Sequence, residues 1–246
     1  MIDILRSEWT KIRSVRSTMW TLAVTALLMV GLGALVTAAA KSDYNQPFPA
    51  FEAISYSTIG SMFASISMAT LGVLVISSEY RTGGIRTSLM AVPRRMKLLT
   101  GKIVVFTVTS LIVCTIASAV TLLVGLAITQ PPSVGTGMVV QAVVGGGLYL
   151  TACGLFGLAL GAIVRHTPGA IVSAIVLMMV LPQVVGVLPE QWGKTVQDYF
   201  TTNAGAQVVI AQGDSSLGPW SGFGVYLVWI AVAMVLGGVL MQRRDA

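Results

Sequence analysis

Residues 79–102 read EYRTGGIRTSLMAVPRRMKLLTGK and carry six of the fifteen lysine and arginine residues of the chain. Long apolar runs flank this basic stretch on both sides, at residues 54–76 and 103–128. A charged insert between two runs of membrane-spanning length must lie in water. Loops rich in lysine and arginine stay on the cytoplasmic side of a membrane, so the pattern predicts a cytoplasmic loop.

The composition indicates an integral membrane protein. Only 10 % of the 246 residues are charged and the mean hydropathy is +0.84, whereas soluble domains have about 25 % charged residues. Runs of about 20 apolar residues cross a bilayer as helices. We therefore predict a single all-α transmembrane domain over residues 1–246. Its six spans are predicted at about 20–40, 54–77, 103–129, 137–164, 169–188 and 220–241.

The distribution of charge predicts the orientation. Thirteen of the fifteen basic residues fall in segments 1–19, 77–102, 165–168 and 242–246. With six spans, all four segments lie on one side, which the positive-inside bias makes cytoplasmic. Both termini are then predicted to be inside. The net charge of +6 is explained by these membrane anchors and does not indicate nucleic-acid binding.

The N-terminal residues 1–19 predict an amphipathic helix on the inner membrane surface. Apolar residues recur with helical spacing at Leu5, Trp9, Ile12, Val15 and Met19, which is the period of one helix face. Trp9 is expected at headgroup depth, with Lys11 and Arg13 on the polar side. A plain basic leader to the first span is the alternative.

Within the basic stretch, Gly83 and Gly84 predict a turn, because glycine tolerates a positive φ. Residues 85–92 then fit two turns of helix, which Pro93 ends. The outer segment 189–219 fits either two short helices dipping into the outer leaflet or a surface hairpin.

Four features in or beside the spans have structural interpretations. Gly154, Gly157 and Gly161 share one helix face and predict close helix packing, although a hinge is an alternative. Pro182 is expected to kink the fifth span. Cys114 and Cys153 are interpreted as small buried residues, and His166 as an ordinary loop residue.

The sequence lacks the residues that several classes of transporter and enzyme require. The interiors of the predicted spans contain no Asp, Glu, Lys, Arg or His, which argues against an ion-coupled carrier. A chain with one histidine has no HExxH zinc motif. The phosphate-binding pattern GxxxxGK[ST] also fails, because Ile103 follows Lys102 and residue 96 is Met. We expect no catalytic, metal or cofactor site on this chain.

Two segments resemble the membrane permeases of actinobacterial ABC-2 type transporters. They are LRSEWTKIRSVRST at 5–18 and SEYRTGGIRTSLMAVPRRMKLLTGK at 78–102. The second has the family's order of an acidic residue, a glycine turn, a short apolar helix, and proline before basic residues. These are Glu79, Gly83, residues 85–92, Pro93 and Arg94. Where the family usually has one glycine followed by threonine, this chain has two glycines.

The resemblance implies a membrane subunit of an ATP-driven exporter in a bacterial plasma membrane. Such exporters pair two permease subunits, identical or different, with two separate ATPase subunits that bind ATP and Mg²⁺. The first cytoplasmic loop seats a coupling helix in the ATPase, and the N-terminal helix also touches it. The implied coupling residues are Glu79, Arg81, Gly83, Arg86, Leu89, Pro93 and Arg94, with Trp9, Lys11 and Arg13 on the N-terminal helix.

The cargo is not specified by these motifs. Uniformly apolar spans favour a hydrophobic or amphipathic molecule, and the family adds drugs, peptide antibiotics and lipids, and with them a role in antibiotic resistance. Two other functions remain open from the residues alone: a stand-alone membrane interaction or immunity protein, and a channel or secondary carrier. The alternative to a coupling role is that residues 81–97 only set the topology and bind anionic lipid.

Overall fold

The computed structural model describes residues 2–43, 47–84, 95–187, 190–209 and 217–243. Its helices are α1 (Ile2–Ser14), α2 (Arg16–Ser42), α3 (Ala50–Thr58), α4 (Gly60–Thr82), α5 (Arg95–Thr129), α6 (Thr136–Val164), α7 (Thr167–Ile175), α8 (Leu181–Val185), α9 (Glu190–Asp198), α10 (Thr201–Ala206) and α11 (Pro219–Arg243). A π-helix at Val176–Val180 joins α7 to α8. Six segments are long and apolar enough to cross a membrane, which confirms the all-α polytopic class.

Helix α6 lies at the centre of the bundle. It is the most buried of the six spans and packs against α4, α5 and α11. Its sequence suits this position, because glycine and alanine alternate with large apolar residues over Gly145–Ala162. In a membrane, where lipid tails are as apolar as the helices, small residues drive association by letting helix backbones approach closely.

The contact between α4 and α6 shows how close that approach is. A Cβ added at Gly72 would lie 1.8 Å from the carbonyl oxygen of Gly154, and one at Gly157 would lie 2.0 Å from that of Ala69. Real Cβ atoms do not come this close to backbone oxygens. The glycine face of α6 is therefore a packing surface, as predicted.

Three helix boundaries differ from the sequence prediction. Helix α1 ends at Ser14, the extended residue Val15 follows, and α2 begins at Arg16 rather than at residue 20. The predicted apolar face of residues 1–19 is thus divided between two helices. The α-helical hydrogen bonding of the second span is interrupted at Ile59. The residues described ahead of the predicted third span, 95–102, are already part of helix α5.

The fifth span, where the sequence predicts a kink at Pro182, contains the π-helix Val176–Val180 just before that proline. In a regular helix the Pro182 nitrogen would donate to the carbonyl of Met178, but proline has no N–H. The hydroxyl of Thr202 donates to that carbonyl at 2.6 Å, and the hydroxyl of Thr201 donates to the carbonyl of Leu177 at 3.0 Å. Helix α10 therefore satisfies the backbone groups that the proline leaves open.

The segment between the fifth and sixth spans contains two short helices, α9 and α10. Helix α10 is buried against α11, where a Cβ at Gly205 would lie 2.4 Å from the ring of Tyr226. Its insertion into the outer leaflet remains a prediction. His166 lies at the N-cap of α7 and accepts a hydrogen bond from the Gly169 N–H at 3.3 Å.

The close packing of α4 on α6 predicts that Gly72→Ala destabilises the chain. The added methyl group would press on the α6 backbone, and overpacking of this kind costs about 1–3 kcal/mol. A loss of that size lowers the midpoint of thermal unfolding by roughly 2–10 °C. Thermal unfolding in detergent measures the effect. Gly31→Ala is the matched control, because no atom lies within 4 Å of its added Cβ; equal melting of the two variants would contradict the packing argument.

Candidate functional site

Four charged side chains from three helices meet at the predicted cytoplasmic end of the bundle. Lys102 Nζ on α5 lies 2.7 Å from Glu8 Oε2 on α1 and 2.7 Å from Glu79 Oε1 on α4. Lys11 Nζ on α1 lies 2.7 Å from Glu8 Oε1 and 2.8 Å from Glu79 Oε1. We call Glu8, Lys11, Glu79 and Lys102 the ion cluster. It joins α1, α4 and α5 with two negative and two positive charges.

The ion cluster is largely removed from water. The side chains of Glu8 and Lys102 are each 3 % exposed and that of Glu79 is 13 % exposed, whereas Lys11 is 40 % exposed at the rim. A buried charge is costly unless it is paired and hydrogen-bonded. Each carboxylate accepts from two ammonium groups, although Glu79 receives both on Oε1 and its Oε2 is buried without a hydrogen-bond partner among the described residues. Removing one partner would leave the others uncompensated.

The sequence of α1 explains how Glu8 reaches this position. The buried residues of the helix are Ile4, Glu8 and Ile12, which lie on one face because they are four residues apart. This face packs on α5 at Gly101, where a Cβ would lie 2.6 Å from Ile4 Cγ2. The glycine thus lets α1 lie against α5 closely enough for Glu8 to reach Lys102.

Glu79 and Lys102 lie on the two helices that flank the basic loop. Glu79 is in the last turn of α4, and Gly83 caps the end of this helix. Gly83 has a φ of 71°, and its N–H donates to Tyr80 O at 3.4 Å. This left-handed conformation is the one for which glycine is favoured at a helix C-terminus. Lys102 is in the second turn of α5. The ion cluster therefore joins the two helices on either side of the basic stretch.

Lys11 keeps its charge at neutral pH. Burial lowers the pKa of this ammonium group, but the hydrogen bonds and negative charges of Glu79 and Glu8 outweigh that effect and raise the pKa above its usual value. The contribution of Lys11 to stability is thus fully present below its ordinary pKa of 10.5 and is lost only at more alkaline pH.

The other predicted site residues lie around the ion cluster or outside the described part of the chain. Arg81 and Arg13 are exposed, and Trp9 is 49 % exposed beside an apolar groove between α1 and α5. Four predicted coupling residues fall outside the described residues: Arg86, Leu89, Pro93 and Arg94. Within the described residues, no group of three His, Cys, Asp or Glu side chains could hold a metal ion.

Sequence reasoning assigned no role to Glu8 or Lys102. A signal exists for Glu8, because it lies between Ile4 and Ile12 on the face that is apolar at four-residue spacing. Lys102 directly precedes an apolar run, where a lysine is expected only to set the orientation of the span in the membrane. Helices α4 and α5 extend beyond the predicted spans at 54–77 and 103–129. Glu79 and Lys102 therefore lie on the long apolar helices themselves, although they fall outside the predicted spans.

The family comparison agrees with this architecture. A family model described as ABC-2 family transporter protein matches residues 4–183. The match begins within α1, contains the ion cluster and the whole basic stretch, and ends just after the π-helix. No curated protein matches the chain significantly.

The burial of the ion cluster predicts that Lys102→Met is strongly destabilising. Removing one partner of a buried ion pair costs about 3–5 kcal/mol, because the remaining charge is left uncompensated. Neutralising the carboxylates as well, in Glu8→Gln/Glu79→Gln/Lys102→Met, should recover much of the loss. Chemical unfolding in detergent measures both changes.

Lys97→Met is the matched control, because Lys97 is an exposed lysine near the start of the same helix. Its stability should stay within about 0.5 kcal/mol of the wild type, as for other surface substitutions. If Lys102→Met is as stable as Lys97→Met, the ion cluster does not contribute to the stability of the fold.

Proposed function

Because this chain belongs to the ABC-2 transporter family of membrane proteins, we propose that it is the permease subunit of an ATP-driven exporter. The family identifies it as a non-catalytic membrane component. Under the proposal, two copies, or this chain and a related one, form the translocation pathway in a bacterial plasma membrane. Two ATPase subunits bind ATP and Mg²⁺ on the cytoplasmic side, where both termini of this chain would lie.

The observation that carries the proposal is the position of the ion cluster. It connects the N-terminal helix α1 to the two helices that enter and leave the basic loop. A force applied to that loop therefore reaches α4, α5 and α1 together. This arrangement suits a mechanical connection between a cytoplasmic partner and the spans.

The physical chemistry of the ion cluster favours movement as one unit. Pulling α5 away from α1 would separate Lys102 from Glu8 in a region with little water, where the attraction between charges is stronger than in bulk solvent. Rotating the three helices together keeps every ion pair intact. We infer that closure of the ATPases moves α1, α4 and α5 as a rigid group relative to the α6 core.

Exposed basic residues supply a docking surface for the ATPase. Arg13 on α1 and Arg81 at the end of α4 are exposed. Arg86 and Arg94 belong to the basic stretch of sequence that connects α4 to α5. A complementary acidic surface on the partner would raise the rate of association by electrostatic steering. Salt would weaken the association by screening these charges.

The docking proposal predicts that Arg86→Glu/Arg94→Glu uncouples the transporter. Reversing two charges should turn attraction into repulsion and weaken binding to the ATPase at least about tenfold, since like charges across an interface cost several kcal/mol. Purification of the tagged chain in mild detergent from its host, followed by ATPase assay, measures both the bound partner and its activity.

Lys194→Glu is the control, because Lys194 is exposed and lies on the predicted outer side. It should retain the partner and the ATPase activity of the wild type. The proposal fails if the double variant retains the ATPase and its activity as fully as this control does, or if the wild-type chain co-purifies with no P-loop ATPase under crosslinking conditions.

A further inference from the structure

Two interruptions of regular helix face one pocket in the membrane-spanning part of the chain. The first is at Ile59, where the N–H donates to Tyr56 O at 3.4 Å instead of to the carbonyl four residues back. The second is the π-helix Val176–Val180. Ile59, Met178 and Met179 all line a pocket with a volume of about 240 Å³.

A hydroxyl lies beside the freed backbone group at each interruption. Thr58 Oγ1 lies 3.1 Å from the carbonyl oxygen of Ser55, which the Ile59 N–H would serve in a regular helix, and 2.9 Å from that of Ile54, so the two carbonyls share its one donor. Thr202 Oγ1 donates to the carbonyl of Met178 at 2.6 Å. Irregular backbone at membrane depth persists where it is buried in protein or lines a cavity, and π-helical turns occur frequently at functional sites.

The walls of the pocket are mostly apolar. Met62 and Phe63 on α4 and Met179 on the π-helix are 49 %, 44 % and 38 % exposed, so they face an open space rather than the packed core. Methionine and phenylalanine adapt to irregular apolar surfaces. Among the described residues, none of those that line the pocket is Asp, Glu, Lys, Arg or His.

Two side-chain amides provide polar groups in this setting. Gln183 on α8 and Asn203 on α10 line the pocket, and within the described residues neither amide makes a hydrogen bond to another residue. The hydroxyls of Thr58, Ser65 and Thr202 already donate to backbone carbonyls. Each amide offers both a donor and an acceptor, which suits a hydroxyl or ester group.

We propose that this pocket binds the uncharged polar head of a membrane-dissolved amphiphile, with Gln183 and Asn203 hydrogen-bonding the head and Met62, Phe63 and Met179 contacting its apolar part. A charged head is disfavoured, because the pocket supplies no opposite charge to offset the loss of hydration. Drug-sized pockets measure about 300–1,000 Å³. A pocket of about 240 Å³ therefore holds the head and adjoining carbons while the rest of the molecule stays in lipid.

This proposal rests on the proposed function in one respect: it treats the bound molecule as the cargo of the exporter. Binding itself needs no ATPase. A test on the purified chain alone therefore separates failure of this site from failure of the ATPase pairing.

The experiment uses the full chain in nanodiscs with two photoreactive lipids that have identical diazirine-labelled acyl chains. One is a diacylglycerol, whose head is an uncharged hydroxyl, and the other is a phosphatidic acid. After illumination, mass spectrometry locates the labelled residues. The diacylglycerol should label residues 58–66 and 178–183 about tenfold more than the phosphatidic acid does, a ratio that corresponds to about 1.4 kcal/mol.

The amide variants test the polar contacts. Gln183→Leu/Asn203→Leu should reduce diacylglycerol labelling at these positions by about tenfold, the loss expected for two hydrogen bonds. Gln141→Leu, which changes an amide on α6 that does not line the pocket, should label like the wild type. Thermal unfolding checks that each variant is folded.

Three outcomes would overturn the proposal: equal labelling by the two lipids, labelling mapped away from the pocket, or a folded double amide variant that labels like Gln141→Leu. The comparison of the two lipids on the wild-type chain does not depend on the stability of any variant.

Discussion

Lys102 has two carboxylates within 2.7 Å and a side chain that is only 3 % exposed. An ammonium group in such a place is tolerated because Glu8 and Glu79 neutralise it, and they in turn share Lys11 at the rim. The position of α1 depends on this arrangement, since α1 otherwise meets the bundle mainly through two isoleucines. Buried ion pairs of this kind resist partial separation more than they add net stability. The ion cluster is therefore better suited to keeping helices together during movement than to raising the stability of the resting fold.

The glycine contacts of α6 complement the ion cluster. Gly157 and Gly72 bring the backbones of α4 and α6 into direct contact, and dispersion between closely packed atoms then holds the centre of the bundle. Apolar surfaces of this kind slide or rotate at lower cost than paired charges separate. The chain thus combines a glycine-packed centre with three ion-paired helices at the predicted cytoplasmic end, and the pocket at the π-helix lies away from that end.

Much of this fold could be predicted from the sequence, for physical reasons that differ between features. The six spans follow from the thickness of a bilayer, which requires runs of about 20 apolar residues, and the disturbance near Pro182 follows from its missing N–H. The ion cluster could not be predicted, and its member Glu79 remains a predicted contact for a partner protein. The pairing of Glu8 with Lys102 spans 94 residues of sequence, a distance over which local periodicity carries no information. The hydroxyls that satisfy the π-helix come from α10 and were likewise not predictable from local pattern.

The central claim, that α1, α4 and α5 move as one group when ATP binds, is tested most directly by distances between spin labels in the complex with its ATPase. Labels at Ser7 on α1 and Thr100 on α5 are both on exposed residues, and a second pair joins Thr100 to His166 beside α6. On addition of a non-hydrolysable ATP analogue, the distance from Ser7 to Thr100 should stay constant while the distance from Thr100 to His166 changes. A change between Ser7 and Thr100 as large as that between Thr100 and His166 would show that α1 moves independently, and would contradict the account.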